Sequence, residues 1–273
     1  MTVINTNVAS LNARAALAGN AAGLQKAMQQ LSTGLRINSA ADDAAGMSIV
    51  NNFTAQIKGL NQAVRNANDG ISMLQTAEGA TNEVTAILQR MRELAVQAAN
   101  GTYSSNDLSS LEKENTALKS ELDRVASVTQ WNGISLMSGS LSASFHVGYG
   151  YASADDVSVT ISQSMTATAL GVSGSISAGG STATAFISAI DAALNTVNGV
   201  RGTLGATINR FQFTADALTN VATHLSESKS RIQDTDYGEA TSDLAKHQVI
   251  QQAATAMLAQ ANQQPQLVLQ LLK

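Results

Sequence analysis

The chain has 273 residues, of which 13% are charged and 4% aromatic, with one proline, no cysteine and a formal net charge of -4. That length permits one large core or two domains, while the acidic balance lacks the basic face that nucleic acid requires. Without cysteine there is no disulfide framework, no thiolate metal site and no cysteine nucleophile. The first residues do not form a secretory signal and no apolar run reaches membrane-spanning length, so the expectation is no membrane partner and export, if any, by a route that reads no cleaved signal.

From Ile4 the apolar residues Ile4, Val8, Leu11 and Ala15 recur at four-three-four spacing, and after a slip Leu24, Met28, Leu31 and Leu35 resume the pattern of a coiled-coil seam. Gly19 and Gly23 stand at the slip, where each weakens an isolated helix by about 1 kcal/mol; they predict either fraying or close approach of another backbone. Leu31 to Val50 is a joint. Gly34 suits the left-handed residue that ends a helix, Asn38 or Ser39 suits the N-cap of the next, and Asp42 and Asp43 suit its first turn.

Phe53, Ile57, Leu60, Val64, Ala67, Ile71 and Leu74 then form the clearest periodic run in the chain. Glu78 predicts a shift of register by one residue, after which Val84, Leu88, Met91, Ala95 and Ala98 continue to an end near Asn100-Gly101. Such a helix spans roughly 80 Å at the usual rise. Tyr103-Ser-Ser-Asn-Asp opens a further helix with Leu108, Leu111, Leu118, Leu122 and Val125 on its seam and Asn115 as a polar, register-setting member.

Trp131-Asn-Gly133 closes the helical pattern, and Phe145, Val147, Tyr149, Val157, Val159 and Ile161 alternate with polar or small residues, which predicts a β-hairpin at about 140–162. Ser162 to Thr184 is rich in Ser, Thr, Ala and Gly and reads as an exposed connection or loose tip. Phe186, Ile190, Ala193, Val197, Val200 and Leu204, then Ile208, Phe211, Ala215, Leu218, Ala222 and Leu225, predict a third long helix with a four-residue stutter. Gly199, Gly202 and Gly205 fall there and suggest close helix contact.

Arg231-Ile-Gln-Asp-Thr-Asp-Tyr237 is a second joint, with Asp234 or Asp236 as N-cap. Beyond it Ile250, Ala254, Met257 and Leu258 make a terminal seam, Pro265 breaks it, and five of the last seven residues are apolar. These patterns predict a mainly α protein: a long coiled-coil-like helical bundle with a small β-hairpin region, and two terminal arms, 1–38 and 239–273, that pair on assembly. The body is 39–238, with a short variable linker at 163–184. Arms so rich in Ala, Gly and Gln bury too little to be ordered alone.

Catalytic readings fail on spacing. His146, His224 and His247 lack His-Glu-x-x-His spacing, Gly34 and Arg36 are not part of a phosphate loop, and there is no Gly-x-Ser-x-Gly elbow. No enzyme activity, cofactor or metal is expected.

The ordered segments Val3-Ile-Asn-Thr-Asn7, Leu31-Ser-Thr-Gly-Leu-Arg-Ile-Asn-Ser-Ala40, Asp42-Asp-Ala-Ala-Gly46, Arg65-Asn-Ala-Asn-Asp-Gly-Ile-Ser72, Arg92-Glu-Leu-Ala-Val-Gln97, Asn209-Arg-Phe211, Arg231 to Tyr237 and Leu258-Ala-Gln-Ala-Asn-Gln263 closely resemble bacterial flagellin. The resemblance implies a subunit of the flagellar filament in a minimal form, its terminal arms forming inner core helices and its body the next layer, with little or no outer domain. It implies a secreted, self-assembling helical homopolymer serving motility. The further partners implied are a flagellar chaperone, the type III export apparatus, the filament cap and hook-junction proteins. A hook–filament junction protein, which shares the arms, is the alternative. Gln89 to Gln97 with Glu114 also resembles the segment that an animal Toll-like receptor recognises, with Arg90, Leu94 and Glu114 as the contacts carried over.

Overall fold

The computed structural model describes residues 6–152 and 155–271, residues 264–271 by backbone alone. Among these residues the helices are α1 (Val8–Thr33), α2 (Ala44–Ala98), α3 (Ser105–Val128), α4 (Gly180–Gln233) and α5 (Tyr237–Leu271). Short strands β1 (Gln130–Trp131) and β2 (Ile134–Ser135) form one antiparallel pair, and β3 (Leu141–His146) and β4 (Asp156–Ile161) another. The fold is therefore mainly α with a small hairpin region, as the periodicity indicates. The chain forms two compact units, Met1–Ala55 with His224–Lys273, and Gln56–Thr223. Compactness thus divides the chain inside α2 and α4, whereas the expected boundaries are 38/39 and 238/239. Both joints lie in the first unit and bond to each other there.

In the Gln56–Thr223 unit, α2 buries Leu60, Ala63, Ala67, Leu74, Ala77, Thr81, Val84, Leu88, Met91, Ala95 and Ala98, with Gly70 also buried. This seam alternates three and four without a break, so the expected register shift at Glu78 does not occur. Ala77 and Thr81 carry the seam past it, and Thr81 satisfies its hydroxyl by donating to the Glu78 carbonyl at 2.8 Å. Val64 and Ile71, favoured by hydrophobicity, are half-buried beside Ala63 and Gly70. Close packing selects small side chains here, so size marks the seam better than hydropathy does.

A capping box starts α3: Ser104 Oγ accepts the Asp107 N–H while the Asp107 carboxylate accepts from the Ser104 backbone. Asn115 and Leu122 of α3 are fully buried. Along α4 the buried positions are Ala183, Phe186, Ile190, Ala193, Val197, Leu204, Ile208, Phe211 and Ala222, so the four-residue step from Leu204 to Ile208 lies where the stutter places it. Gly199, Gly202 and Gly205 correct the expectation of close contact: a Cβ at any of them would meet nothing within 4 Å. They lie off the buried stripe.

The turn between β1 and β2 is made by Asn132 and Gly133 at φ 48° and 79°, values that suit an Asn-Gly pair. On β4 Val157, Val159 and Ile161 point into the core, and Phe145 on β3 meets Phe211 edge-to-face at 5.4 Å. The segment 163–184 corrects the expectation of a loose tip. Met165, Ala167, Leu170, Val172 and Ile176 are buried, and α4 already begins at Gly180. Its backbone is tied to α3, since Ala167 N–H donates to the Asp123 carboxylate at 2.8 Å and Ile176 N–H to that of Glu112 at 2.6 Å. Apolar residues spaced among the serines cover one flank of the helix while the serines stay in water.

Candidate assembly site

The Met1–Ala55 and His224–Lys273 unit holds most of the residues expected to mediate assembly. Asn7 caps α1 by accepting the Ser10 N–H at 3.0 Å. The helix packs along α5 in the same chain, so the arms are paired without a second copy. Its packed face is Ser10, Ala13, Leu17, Asn20, Leu24, Ala27 and Leu31, a three-four repeat of small, apolar and amide side chains. On α5 the facing positions are Ala240, Leu244, His247, Ala254, Leu258 and Ala261. Of the residues read as assembly seams, Leu24, Leu31, Ala254 and Leu258 lie on the packed faces of this intrachain pair, with Leu35 half-buried at its end.

Other expected seam residues lie outside it. Val8 is 52% exposed, Leu11 56%, Met28 57%, Ile250 41% and Met257 65%. On α1 Leu11 and Met28 fall one position and Val8 two positions off the packed stripe, which Ser10, Asn20 and Ala27, overlooked by hydropathy, help to occupy. On α5 Met257 lies beside Leu258, and Ile250 lies between His247 and Ala254 without joining the stripe. Ile4 and the side chains of the closing Leu267–Lys273 lie outside the described residues.

At the centre of the pair, Asn20 Nδ2 donates to the His247 carbonyl at 2.8 Å, so its Oδ1 must accept from His247 Nδ1 at 2.7 Å. The imidazole lies against Gly23, leaving no room for a Cβ. A side chain, then, and no second backbone, occupies the space at Gly23, whereas Gly19 faces open space. Pro265 does not end α5, which continues to Leu271. The carbonyl that a helical residue 265 would normally bond is that of Ala261, and Asn7 Nδ2 donates to it at 2.8 Å.

The two joints meet. Gly34 is left-handed at φ 72°, its N–H donating to the Gln30 carbonyl and its own carbonyl accepting the Thr235 N–H at 3.0 Å. Arg36 N–H donates to the Gln233 carbonyl at 2.6 Å, and the Arg36 guanidinium to that of Ile232. Leu35 and Asp234 form an isolated antiparallel bridge.

The carboxylates and Asn38 have different roles from those expected. Asp43, rather than Asn38 or Ser39, caps α2, accepting the Gly46 N–H at 2.8 Å. Asp42 lies before the helix and closes a turn, accepting from the backbone of Asn38 and Ser39, the Ser39 hydroxyl and Lys26. The Lys26 ammonium and the Ser39 donors hold its carboxyl below the usual range. Asn38 instead donates its side-chain amide to the Leu35 carbonyl. The choice falls on Asp43 because the intervening residues 39–42 form their own turn. Asp236 caps α5 through the Gly238 N–H, while Asp234 accepts the Ser230 hydroxyl at the end of α4. Arg231, in the last turn of α4, suits the negative end of that helix.

In the other unit Arg90 of α2 pairs with Glu114 of α3 at 2.7 Å and with Glu93 at 2.9 Å, and these carboxylates raise the guanidinium above its ordinary value, Glu114 most. Leu94 is only 1% exposed and belongs to the core between helices and hairpin, so it cannot be a contact on the surface that Arg90 and Glu114 share. Among the described residues no group of three or more His, Cys, Asp or Glu could hold a metal ion, and no helix is long and apolar enough to cross a membrane.

Long heptad-like helices together with a terminal helix pair that leaves apolar residues in water define a mainly helical, coiled-coil-like class of protein. Residues 4–142 match the bacterial flagellin N-terminal helical region and residues 187–272 the bacterial flagellin C-terminal helical region. The chain is 42% identical over 273 residues to a flagellin of Halalkalibacterium halodurans, covering 99% of this chain and 100% of that protein. It is 40% identical to the flagellar filament 33 kDa core protein of Treponema phagedenis, covering 99% and 100% of the two. The crystal structure of Bacillus cereus flagellin aligns with a TM-score of 0.51 at 31% identity, over 60% of this chain and 94% of that one. The chain belongs to the bacterial flagellin family, in a minimal form. It is a structural subunit of the flagellar filament, and the hook–filament junction alternative is not favoured.

Proposed function

We propose that the paired arms, 1–38 and 239–273, are the inner element through which copies of this chain polymerise, and that the body 39–238 forms the layer around them. The observation that carries this is the apolar rim left on the pair by Val8, Leu11, Met28, Ile250 and Met257, each at least 41% exposed in the single chain. Solvent-facing apolar residues on both helices of one pair need a covering surface, and further copies supply it. Family membership supports the remaining steps: the chain is exported with a chaperone through the flagellar type III apparatus, adds beneath the filament cap beyond the hook-junction proteins, and acts in the secreted filament without catalysis. The joints Gly34, Asn38, Asp42, Asp43, Arg231, Asp234 and Asp236 fix the path between arm and body. Arg90 and Glu114 are the residues a host Toll-like receptor would meet.

Sedimentation with filament seeds tests the central step. Purified chain at high concentration pellets as polymer, whereas Ile250→Glu with Met257→Glu stays in the supernatant with its helical circular dichroism retained. Failure of the unaltered chain to pellet would sink the reading, as would undiminished polymerisation of the double variant.

A further inference from the structure

We infer that Asn7 fixes the register of the two terminal helices at their outer end, beyond the Asn20–His247 pair, by giving its side-chain amide to the one carbonyl that Pro265 leaves free. In an α-helix the N–H of residue i bonds the carbonyl of residue i−4, and proline has no N–H. Pro265 therefore withdraws the donor owed to Ala261, yet α5 runs through it to Leu271. Asn7 Nδ2 donates to that carbonyl at 2.8 Å, from a residue 254 positions away in sequence. The other end of the same amide is also used, since Oδ1 accepts the Ser10 N–H at 3.0 Å and caps α1.

One side chain thus joins the first turn of α1 to an interior carbonyl of α5. Carbonyls earlier in α5 are engaged by their own helix and offer Asn7 a much weaker partner. Sliding the pair by one helical turn, about 5.4 Å, would place the amide against an engaged carbonyl and leave that of Ala261 unmatched. The Asn20–His247 bonds and the joint contacts align the middle and the joint end of the pair. Beyond them the packed face is Ser10, Ala13 and Leu17 against Ala254, Leu258 and Ala261, and there Asn7 adds the hydrogen bond that fixes the outer end. A proline that would otherwise only weaken the helix becomes a mark by which the partner helix is aligned. This rests on the reading that the arms pair in the polymer.

The test is a double-mutant cycle on the full chain, read as the critical concentration for seeded polymerisation. Asn7→Ser keeps an oxygen for the cap but removes the amide donor, and it should raise the critical concentration about ten-fold. Pro265→Ala restores a backbone donor to the Ala261 carbonyl, and in that background Asn7→Ser should cost less than two-fold. An equal cost in both backgrounds, or no cost in either, overturns the inference. Should Pro265→Ala not polymerise, the carbonyl carbon of labelled Ala261 decides the matter by solid-state NMR of filaments. Its resonance moves between the unaltered chain and Asn7→Ser if the bond exists, and an unmoved resonance overturns the inference. Failure of the unaltered chain to polymerise would instead indict the assembly reading.

Discussion

Gly70 of α2 lies directly under the ring of Phe211 of α4: a Cβ at Gly70 would sit 3.0 Å from the ring's Cζ and 3.2 to 3.3 Å from its Cε atoms. Phe211 has no exposed surface and meets Phe145 edge-to-face, so its ring has little freedom to yield. Gly70→Ala gains about 1 kcal/mol of helix propensity and loses a similar amount in overlap, leaving urea unfolding of the body little changed. Gly70→Val overpacks the site and should destabilise the body by about 1–3 kcal/mol. Adding Phe211→Leu should recover part of that loss; no recovery would show that the ring is not the obstacle.

His146 at the end of β3 predicts a pH dependence. Its Nδ1 faces the Asp156 carboxylate at 2.8 Å and its Nε2 the Gly150 carbonyl at 3.0 Å. A neutral imidazole has one donor and two acceptors to meet, so the arrangement calls for the imidazolium. The Asp156 hydrogen bond most of all raises its pKa above the ordinary histidine value; burial opposes this, and the Gly150 carbonyl and the charges of Asp156 and Asp155 add to the rise. From α2 only the neutral Asn66 amide bonds this residue, at the His146 carbonyl. A pKa raised on folding gives stability that is complete below the unfolded value and lost as pH climbs through the folded one. Exchange of the Val147 amide, which donates to the Asp155 carbonyl at 2.7 Å, should therefore quicken across that range. Asp156→Asn should return the NMR titration of His146 toward its ordinary midpoint, and an unchanged midpoint would remove Asp156 as the cause.

Glu112 fastens the 163–184 segment to α3. Burial works against its charge, but the Ile176 N–H, the Ser175 hydroxyl and the Lys119 ammonium outweigh that and hold the carboxyl below its usual range. Lys119 also donates to the Gly174 carbonyl and lies 5.7 Å from the centre of the Phe186 ring. Glu112→Ala strands a buried backbone donor, since Ile176 has no exposed surface, and should cost about 1–3 kcal/mol. Limited proteolysis should then cut within 163–184 in the variant and spare the unaltered chain. Because the folded pKa is depressed, the unaltered chain should approach the variant as pH falls through that value. Cleavage that stays slow in the variant would show that Met165, Leu170 and Val172 hold the segment by themselves.

How much of this was legible in sequence depended on residue size. Helix existence followed from periodicity, and the joint glycine and the Asn-Gly turn from local backbone chemistry. Register along α2 did not, because Ala63, Gly70, Ala77 and Thr81 are buried for being small while Val64 and Ile71 beside them score as more hydrophobic. The same bias moved the arm seam onto Val8, Leu11 and Met28, which are surface residues of the single chain. Composition hid the packed 163–184 segment, whose few apolar residues lie among many serines. Hydrogen bonds between residues far apart in the chain, such as Asn7 to Ala261 and Asn20 to His247, leave no local pattern to read.

Substitution of Gly34 should separate assembly from folding. Its left-handed conformation costs a residue with a Cβ roughly 1–2 kcal/mol, and a Cβ there would also lie 3.1 Å from the Tyr237 hydroxyl. Valine, branched at Cβ, is least able to adopt it, whereas asparagine tolerates the conformation. Gly34→Val should therefore break the bond from Thr235 to the Gly34 carbonyl and misdirect the arm. The Gln56–Thr223 unit contains none of these residues, and its urea unfolding, followed through Trp131, the single tryptophan, should be unchanged. Seeded polymerisation should fall sharply for Gly34→Val and only slightly for Gly34→Asn. Loss of body stability in step with polymerisation would place the joint within the body's own fold. Equal damage from valine and asparagine would show that space beside Tyr237, and not backbone conformation, is what glycine provides.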